Sequence, residues 1–129
     1  MTPQLNVIGI VVSDMAASLA FYRRLGLEFP EADDGHMEAP LPGGMRLTLD
    51  TEAVIKSFHS EWQPPTSAGR LGLAFQCADP AEVDAVYSEL IDAGYRGELK
   101  PWDAFWGQRY ATILDPDGNS VDLYAPLSD

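Results

Sequence analysis

The sequence predicts an α+β fold made of two βαβββ modules in a single domain, residues 1–129. Three observations predict this fold. The segment 8–29 is repeated at 71–99, apolar residues switch between strand and helix spacing, and turns rich in glycine and proline separate the apolar segments. A chain of this length can bury a real hydrophobic core. The repeat places module one at 5–50, a linker at 51–69 and module two at 70–126.

Each module opens with an apolar strand that leads into a helix. Asp14 and Asp79 stand before the two helices as N-cap residues, because an aspartate side chain accepts hydrogen bonds from the first free N–H groups. Pro80 is the residue type favoured in a first helical turn. Apolar residues at three-to-four spacing continue each helix, and Gly26 and Gly94 are expected to end them.

Three short strands are expected after each helix. In module one they are 27–32, 36–40 and 45–50, and in module two 95–100, 107–114 and 119–125. The turns between them combine aspartate, proline and glycine, the residues that turn conformations require. These turns are Asp33-Asp34-Gly35, Pro42-Gly43-Gly44 and Asp115-Pro116-Asp117-Gly118. The linker is expected to hold a short helix at 52–60.

Alternation along the strands separates two faces of the predicted sheets. Rows such as Leu47 and Leu49, or Val121 and Leu123, are purely apolar and should pack against the helices. The opposite rows mix small, polar and charged residues, which suits a wet concave face, with a plain solvated sheet face as the alternative. These mixed rows are Val7, Gly9 and Val11; Arg46, Thr48 and Asp50; Gly72, Ala74 and Gln76; and Ser120, Asp122 and Tyr124.

Motifs at both ends of the chain resemble a known family. The strand, Ser-Asp, helix and "FYRRLGLEF" opening and the "WGQRYATILDPDGN" ending resemble the vicinal oxygen chelate superfamily, over residues 5–126. This group contains glyoxalase I, extradiol dioxygenases, fosfomycin-resistance enzymes and bleomycin-resistance proteins. The resemblance implies that the modules form a curved, partly open eight-stranded cup with helices on the outside, completed in a homodimer. The repeat leaves open that both modules close on each other within one chain.

The resemblance also implies where a metal would be held in the metal-dependent members. Matched residue by residue, the four ligand positions are Val7, Thr48, Gly72 and Asp122. Valine and glycine side chains have no donor atom, threonine is a poor ligand, and a divalent ion needs several converging donors. The two histidines, His36 and His59, stand outside these positions. We therefore expect no metal ligands and no cofactor.

The absence of metal ligands makes the chain most similar to the metal-free bleomycin-resistance branch, whose members bind a drug without chemistry. Trp102, Phe105 and Trp106 cluster before a predicted strand, and Trp106-Gly107 stands where that branch places a stacking tryptophan. The alternative is that these aromatic residues plug the barrel or form a dimer seam. Small residues on the mixed rows leave room for a ligand, and the acidic residues there favour a cation.

The candidate ligand-binding residues combine the aromatic cluster with the mixed rows. They are Trp106, Trp102, Phe105, Asp122, Thr48, Asp50, Arg46, Gln76, Tyr124, His36 and Trp62. Trp62, in the linker, is expected to cover the site or to pack against a partner subunit. Arg46 is expected to pair with Asp122 across the sheet rather than to bind a ligand carboxylate. No catalytic residue is assigned.

Charge and composition exclude several classes of function. The net charge of -12 opposes binding to nucleic acid and to anionic membranes, because both need a basic face. No apolar run is long enough to span a membrane, and the start MTPQLNVIG lacks the features of a signal peptide. The single cysteine, Cys77, excludes an internal disulfide, fits a cytoplasmic location and is expected to be a small core residue.

Three functions compete on the sequence. The leading one is a non-catalytic protein that sequesters a small aromatic molecule such as an antibiotic, for which a positive charge would suit the acidic rows. The alternative is a glyoxalase- or dioxygenase-type enzyme with an unconventional metal site or none, in which Asp122 acts as acid or base. The third is a structural or regulatory dimer with an empty cup.

Overall fold

A computed structural model of the chain describes residues 2–31, 35–66 and 70–128. The strands in these ranges are β1 (Val7–Val12), β2 (His36–Pro40), β3 (Arg46–Thr51), β4 (Gly72–Gln76), β5 (Gly97–Ala104), β6 (Gln108–Leu114) and β7 (Ser120–Pro126). The helices are α1 (Met15–Arg24), α2 (Glu52–Phe58) and α3 (Pro80–Asp92). The α+β class is confirmed, and the chain forms two compact units, Met1–Thr66 and Ser67–Asp129. No helix within these ranges is long and apolar enough to cross a membrane.

The first unit contains a three-stranded sheet in the order β1-β3-β2. β1 runs parallel to β3, and β2 runs antiparallel to it. Parallel neighbours need a long crossover connection, and the segment that holds α1 and β2 supplies it. Leu47 and Leu49 of β3 are buried, as the apolar row predicts, together with Phe21 and Tyr22 of α1.

The second unit contains a four-stranded sheet in the order β4-β7-β6-β5, with α3 packed on β5, β6 and β7. β4 runs parallel to β7, and the other neighbours are antiparallel. The apolar row of Val121 and Leu123 is buried with Val83 and Leu90 of α3. Cys77 is buried as predicted, and this burial raises the pKa of its thiol.

The helix ends follow the sequence signals. The Asp14 side chain accepts from the Ala17 N–H at 3.1 Å, and the Asp79 side chain accepts from the Glu82 N–H at 2.8 Å. Gly26, just after α1, has a φ of 92°, a left-handed conformation that glycine adopts without a steric penalty. The predicted N-caps and glycine terminators are therefore confirmed.

The predicted strand at 27–32 is wrong for the part that the structure describes. Residues 27–31 pair with no strand, and the Arg23 guanidinium donates instead to the carbonyl oxygens of Phe29 and Pro30, at 3.4 and 2.8 Å. Pro30 also has no N–H to offer a neighbouring strand. Residue 32 and residues 33 and 34 of the predicted turn lie outside the described residues. The described ranges therefore hold seven strands, where the sequence predicts eight.

The turn between β6 and β7 is held by the buried side chain of Asp115. Its carboxylate accepts from the backbone N–H groups of Asp117 and Asn119, at 2.9 and 2.8 Å, and from the Asn119 amide at 2.9 Å. The Gly118 N–H donates to the Asp115 carbonyl at 2.9 Å and closes the predicted turn. This turn sets the register of the hairpin, in which Thr112 stands opposite Asp122.

Gly97 allows α3 to lie close to β5. A Cβ atom at this position would stand 2.0 Å from the Tyr87 hydroxyl oxygen and 3.0 Å from Cδ1 of Ile91. Any side chain at this position would therefore require the Tyr87 ring to move away. β5 is irregular from this point, with register shifts between Gly97 and Leu99 and between Leu99 and Trp102.

Candidate functional site

One face of the four-stranded sheet carries a row of polar and aromatic side chains that crosses all four strands. Gln76 of β4 pairs with Tyr124 of β7, Tyr124 with Tyr110 of β6, and Tyr110 with Trp102 of β5. Paired residues of neighbouring strands point to the same side of a sheet. We call these four residues the aromatic row. Trp102 belongs to it because β5 extends to Ala104, beyond the predicted end at residue 100.

Trp106, in the turn between β5 and β6, lies beside the aromatic row. Its ring centroid is 5.5 Å from that of Trp102, 5.0 Å from that of Phe105 and 5.2 Å from that of Tyr110, all in edge-to-face arrangements. Each such contact contributes about 0.5–1.5 kcal/mol beyond area burial. The Trp106 Nε1–H donates to Oε1 of Gln108 at 2.8 Å, which fixes the ring. We call Trp102, Phe105, Trp106 and Tyr110 the aromatic cluster.

Much of the aromatic cluster remains accessible to solvent. Trp102 is 38% exposed, Trp106 48% and Phe105 91%. Large apolar side chains are usually covered, and an exposed group of them is typical of a binding surface. The cluster therefore offers aromatic ring surface to a molecule from solution.

Asp122, half-buried in the middle of β7, is paired with two hydroxyl groups of β6. Thr112 Oγ1 donates to Oδ1 at 2.8 Å, and the Tyr110 hydroxyl donates to Oδ2. Burial first, and the hydrogen bond to Asp122 second, raise the pKa of Tyr110 to about 12. The phenol therefore keeps its proton near neutral pH and remains a donor to the carboxylate.

A second polar group lies in the three-stranded sheet of the first unit. The His36 ring places Nδ1 2.5 Å from Oδ1 of Asp50 and Nε2 2.8 Å from Oε2 of Glu38, whose other oxygen lies 3.4 Å from Nε of Arg46. The hydrogen bonds to Glu38 and then Asp50 raise the pKa of His36, and His36 lowers the pKa of Glu38. The His36 and Glu38 side chains are largely exposed, so the ion pair between them contributes little to stability, whereas Asp50 is mostly covered.

The predicted pairing of Arg46 with Asp122 is wrong. Arg46 lies on β3 and Asp122 on β7, and these strands belong to different sheets. Arg46 instead contacts Glu38 on the neighbouring strand β2. Alternation along a strand identifies the face of a residue, but the neighbouring strand depends on long-range topology.

The four positions where the superfamily would hold a metal do not fit one here. Val7 and Gly72 offer no donor atom and Thr48 is a poor ligand, so Asp122 is the one carboxylate among the four positions. In residues 2–31, 35–66 and 70–128, no group of three or more His, Cys, Asp or Glu side chains could hold a metal ion. The carboxylates beside His36 lie at different ring nitrogens and do not converge on one point.

The structure divides the predicted site residues between the two units. Six of them lie in the second unit, on the sheet face that carries the aromatic row or beside it: Gln76, Trp102, Phe105, Trp106, Asp122 and Tyr124. His36, Arg46, Thr48 and Asp50 share a face of the three-stranded sheet, where Thr48 is buried. Trp62 is half-buried, its backbone N–H donates to the His59 carbonyl, and its role as a cover stays a prediction.

Three residues that build the site were not among the sequence candidates: Tyr110, Thr112 and Gln108. All three lie on β6, at alternate positions that point to one side. The hairpin turn was recognised in the sequence, and its register would have placed Thr112 opposite Asp122. The length of the turn is enough to predict this register. The register of β5 against β6 also depends on the bulges in β5.

Arg109 secures the opposite side of the same strands. Its Nε and Nη2 donate to the two oxygens of Asp84 on α3, at 2.9 and 3.2 Å, and its Nη1 donates to Asp103 on β5 at 3.0 Å. Bidentate contacts of this kind fix the orientation of both partners. The clamp ties α3 to the hairpin that carries the aromatic cluster.

Comparison with known proteins agrees with this fold. A crystal structure of a glyoxalase/bleomycin resistance protein/dioxygenase family enzyme from Burkholderia phytofirmans PsJN has a TM-score of 0.84 at 19% identity, covering 97% of this chain and 100% of that one. For a hypothetical protein from S. aureus the TM-score is 0.80 at 18% identity, covering 97% and 94%. For a lactoylglutathione lyase from Agrobacterium tumefaciens it is 0.69 at 23% identity, covering 97% and 95%. These identities show a shared fold alone.

The sequence itself decides the family. No curated protein matches it. Residues 4–123 match the model of the Glyoxalase/Bleomycin resistance protein/Dioxygenase superfamily, which covers both units and confirms the resemblance seen in the terminal motifs. The chain therefore belongs to the Glyoxalase/Bleomycin resistance protein/Dioxygenase superfamily.

Proposed function

We propose that this chain binds and sequesters a small aromatic, positively charged molecule such as an antibiotic, without a metal and without converting it. The observation that carries the proposal is the exposed aromatic cluster, in which Trp106 contacts three other rings and still presents part of its own surface. On this proposal the chain acts as the metal-free, bleomycin-resistance-like members of its superfamily do. The homodimer and the cytoplasmic location remain predictions from the sequence.

The energetics of the site suit a planar cation. Each ring contact with a ligand contributes about 0.5–1.5 kcal/mol beyond area burial. A positive charge over such rings adds about 0.5–2 kcal/mol. The net charge of -12 adds a long-range attraction for cations. An anionic aromatic molecule would lose both of the last two contributions.

The same residues argue against acid–base chemistry at this face. A general base works best when its pKa lies near the working pH. The Tyr110 pKa of about 12 keeps the phenol protonated at neutral pH. Asp122 has no converging metal ligands beside it in the described ranges.

Isothermal titration calorimetry with two probes, bleomycin and N-methylacridinium, tests the proposal. We expect wild-type protein to bind at least one of them, and Trp106→Ala to weaken that binding about tenfold, which is the loss of one to two ring contacts. Phe58→Ala removes an aromatic residue that is 75% exposed on α2 and serves as the matched control.

Three outcomes would overturn the proposed function. The first is a wild-type chain that binds neither probe. The second is an affinity that Trp106→Ala and Phe58→Ala change equally. The third is a probe that mass spectrometry recovers chemically altered after incubation, since that would make the chain an enzyme.

A further inference from the structure

The two sides of Asp122 within the four-stranded sheet are unlike. On the β6 side, Thr112 and Tyr110 both donate to the carboxylate. On the β4 side, the paired residue is Ala74, which is exposed, and Gly72 stands two positions earlier. The carboxylate is therefore held by donors from one side, while the residue paired with it on the other side has only a methyl side chain.

Among the described residues of the second unit, no cation pairs with the Asp122 side chain. The ion pairs found there join Arg109 to Asp84 and Asp103. Hydroxyl donors orient a carboxylate but do not neutralise it. A carboxylate offers about four acceptor sites, so two hydroxyls leave room for another donor. A half-buried charge of this kind is stabilised strongly by a cation from solution.

Tyr110 connects the carboxylate to the aromatic cluster. Its hydroxyl donates to Asp122, while its ring centroid lies 5.2 Å from that of Trp106. The ring surface of Trp106 and the charge of Asp122 thus lie at the two ends of one phenol side chain. Tyr124, opposite Tyr110 in the register, extends the aromatic surface along the same row.

We propose that Asp122, with the space over Ala74, forms a subsite for a cationic amine that the ligand carries outside its aromatic ring. The ligand class is therefore an aromatic ring with a short alkylamine chain, whose ammonium group adds a second contact to those of the ring. The ring lies against the aromatic cluster, and the ammonium group reaches the carboxylate from the β4 side. This inference rests on the proposed function and names its ligand class.

Two matched ligands test the inference. One is acridine with a dimethylaminopropyl chain, and the other is its isostere with an uncharged methylpentyl chain. Isothermal titration calorimetry at about pH 8 measures both, where the alkylamine is protonated. We expect wild-type protein to bind the amine about tenfold more tightly, as a charge-assisted hydrogen bond would provide.

Three variants separate the contributions of the Asp122 carboxylate, the space over Ala74 and the aromatic rings. Asp122→Asn is expected to bring the ratio of the two affinities close to one while binding of the uncharged ligand is kept. Ala74→Leu fills the open side without touching the carboxylate and should also remove the preference. Trp106→Ala removes ring surface from the aromatic cluster and should weaken both ligands by a similar factor, so that the ring contribution is separated from the charge. Asp92→Asn, an exposed acid at the end of α3, is the matched control and should change nothing.

The outcomes distinguish this inference from the proposed function. Equal wild-type affinity for both ligands, with both weakened by Trp106→Ala, would overturn the amine subsite and leave aromatic binding in place. Equal weakening of both ligands by Asp122→Asn would also overturn it, because the carboxylate would then only support the aromatic row. A wild-type chain that binds neither ligand would overturn both proposals.

Discussion

His36 shows how neighbouring side chains set the charge of a single residue. Its two ring nitrogens face Glu38 and Asp50, and these hydrogen bonds raise its pKa above the ordinary value of 6.5. The folded chain therefore binds the proton more tightly than the unfolded chain does. The stabilisation is fully present below the unfolded pKa and is lost as the pH rises through the folded pKa.

This sign predicts a pH-dependent effect of His36→Gln. The variant should lower the urea midpoint of unfolding at about pH 6, and the difference from wild type should shrink towards about pH 8. The effect will be small, because the His36 and Glu38 side chains are 46% and 42% exposed. Glu38→Gln removes the partner with the larger influence, so an NMR titration of the His36 ring should show a lower pKa. An equal effect of His36→Gln at both pH values would contradict the prediction.

At the scale of elements, local signals predicted most of the structure. The aspartate N-caps, the glycines that follow α1 and α3 and the Asp115 turn all depend on a few adjacent residues, so the sequence showed them directly. The strand prediction was wrong at residues 27–31, because the Arg23 side chain binds carbonyl groups that a strand would use. The predicted end of β5 was wrong as well. The strand continues through bulges to Ala104, and bulges depend on the partner strand.

The contact between α3 and β5 predicts the cost of a single methyl group. In Gly97→Ala, the new Cβ would stand 2.0 Å from the Tyr87 hydroxyl oxygen, so Tyr87 must move away from β5. Displacing the half-buried Tyr87 ring should lower the unfolding free energy by about 1 kcal/mol, the low end of the cost of overpacking, measured by urea denaturation. Gly72→Ala is the matched control, because its nearest neighbour would be a Ser120 backbone oxygen at an ordinary 3.6 Å.

A second background checks the cause of this loss. In a Tyr87→Ala chain, Gly97→Ala should cost clearly less than in wild type, because the clashing ring is gone. If both glycine substitutions have the same effect, or if the Tyr87→Ala background gives no relief, the close approach is not what requires glycine.

At the scale of the whole molecule, acidic residues outnumber basic ones by 20 to 8. A net charge of -12 produces self-repulsion in the compact state, and salt screens it over a Debye length of about 10 Å at 0.1 M. Salt also weakens the exposed Arg46 pair, which contributes little, and the bidentate Arg109 clamp, whose few contacts oppose a net charge of -12. The repulsion should therefore decide the response to salt.

We expect the thermal unfolding midpoint to rise when sodium chloride is added to protein in dilute buffer. A gain of 1 kcal/mol corresponds to about 4 °C for a chain of this size. Potassium chloride should have the same effect, because screening depends on ionic strength and not on the identity of the ion. A midpoint that falls with either salt would mean that the ion pairs outweigh the repulsion.

The whole fold was more predictable than the candidate site. The fold can be predicted from the internal repeat, because each copy of the pattern supports the assignment of the other copy. The site depends on contacts between strands: Asp122, Trp102 and Trp106 could be selected by residue type, but the hydroxyl donors of Tyr110 and Thr112 depend on register. The predicted pairing of Arg46 was wrong for the same reason. Which strands lie side by side depends on residues far apart in the sequence, and no local pattern reveals it.

The Asp115 turn has a consequence for how this chain can change over time. Side chains alternate along β7, so one residue added between Asp115 and Asn119 would exchange its two faces unless a bulge absorbed it. Val121 would then point to the aromatic row and Asp122 into the apolar core. Most surface hairpins tolerate insertions and deletions, but this one constrains the length of its loop. The ligand preference of this chain can therefore change through substitution of side chains. It cannot easily change through insertions and deletions in this turn, the route by which surface loops usually diverge.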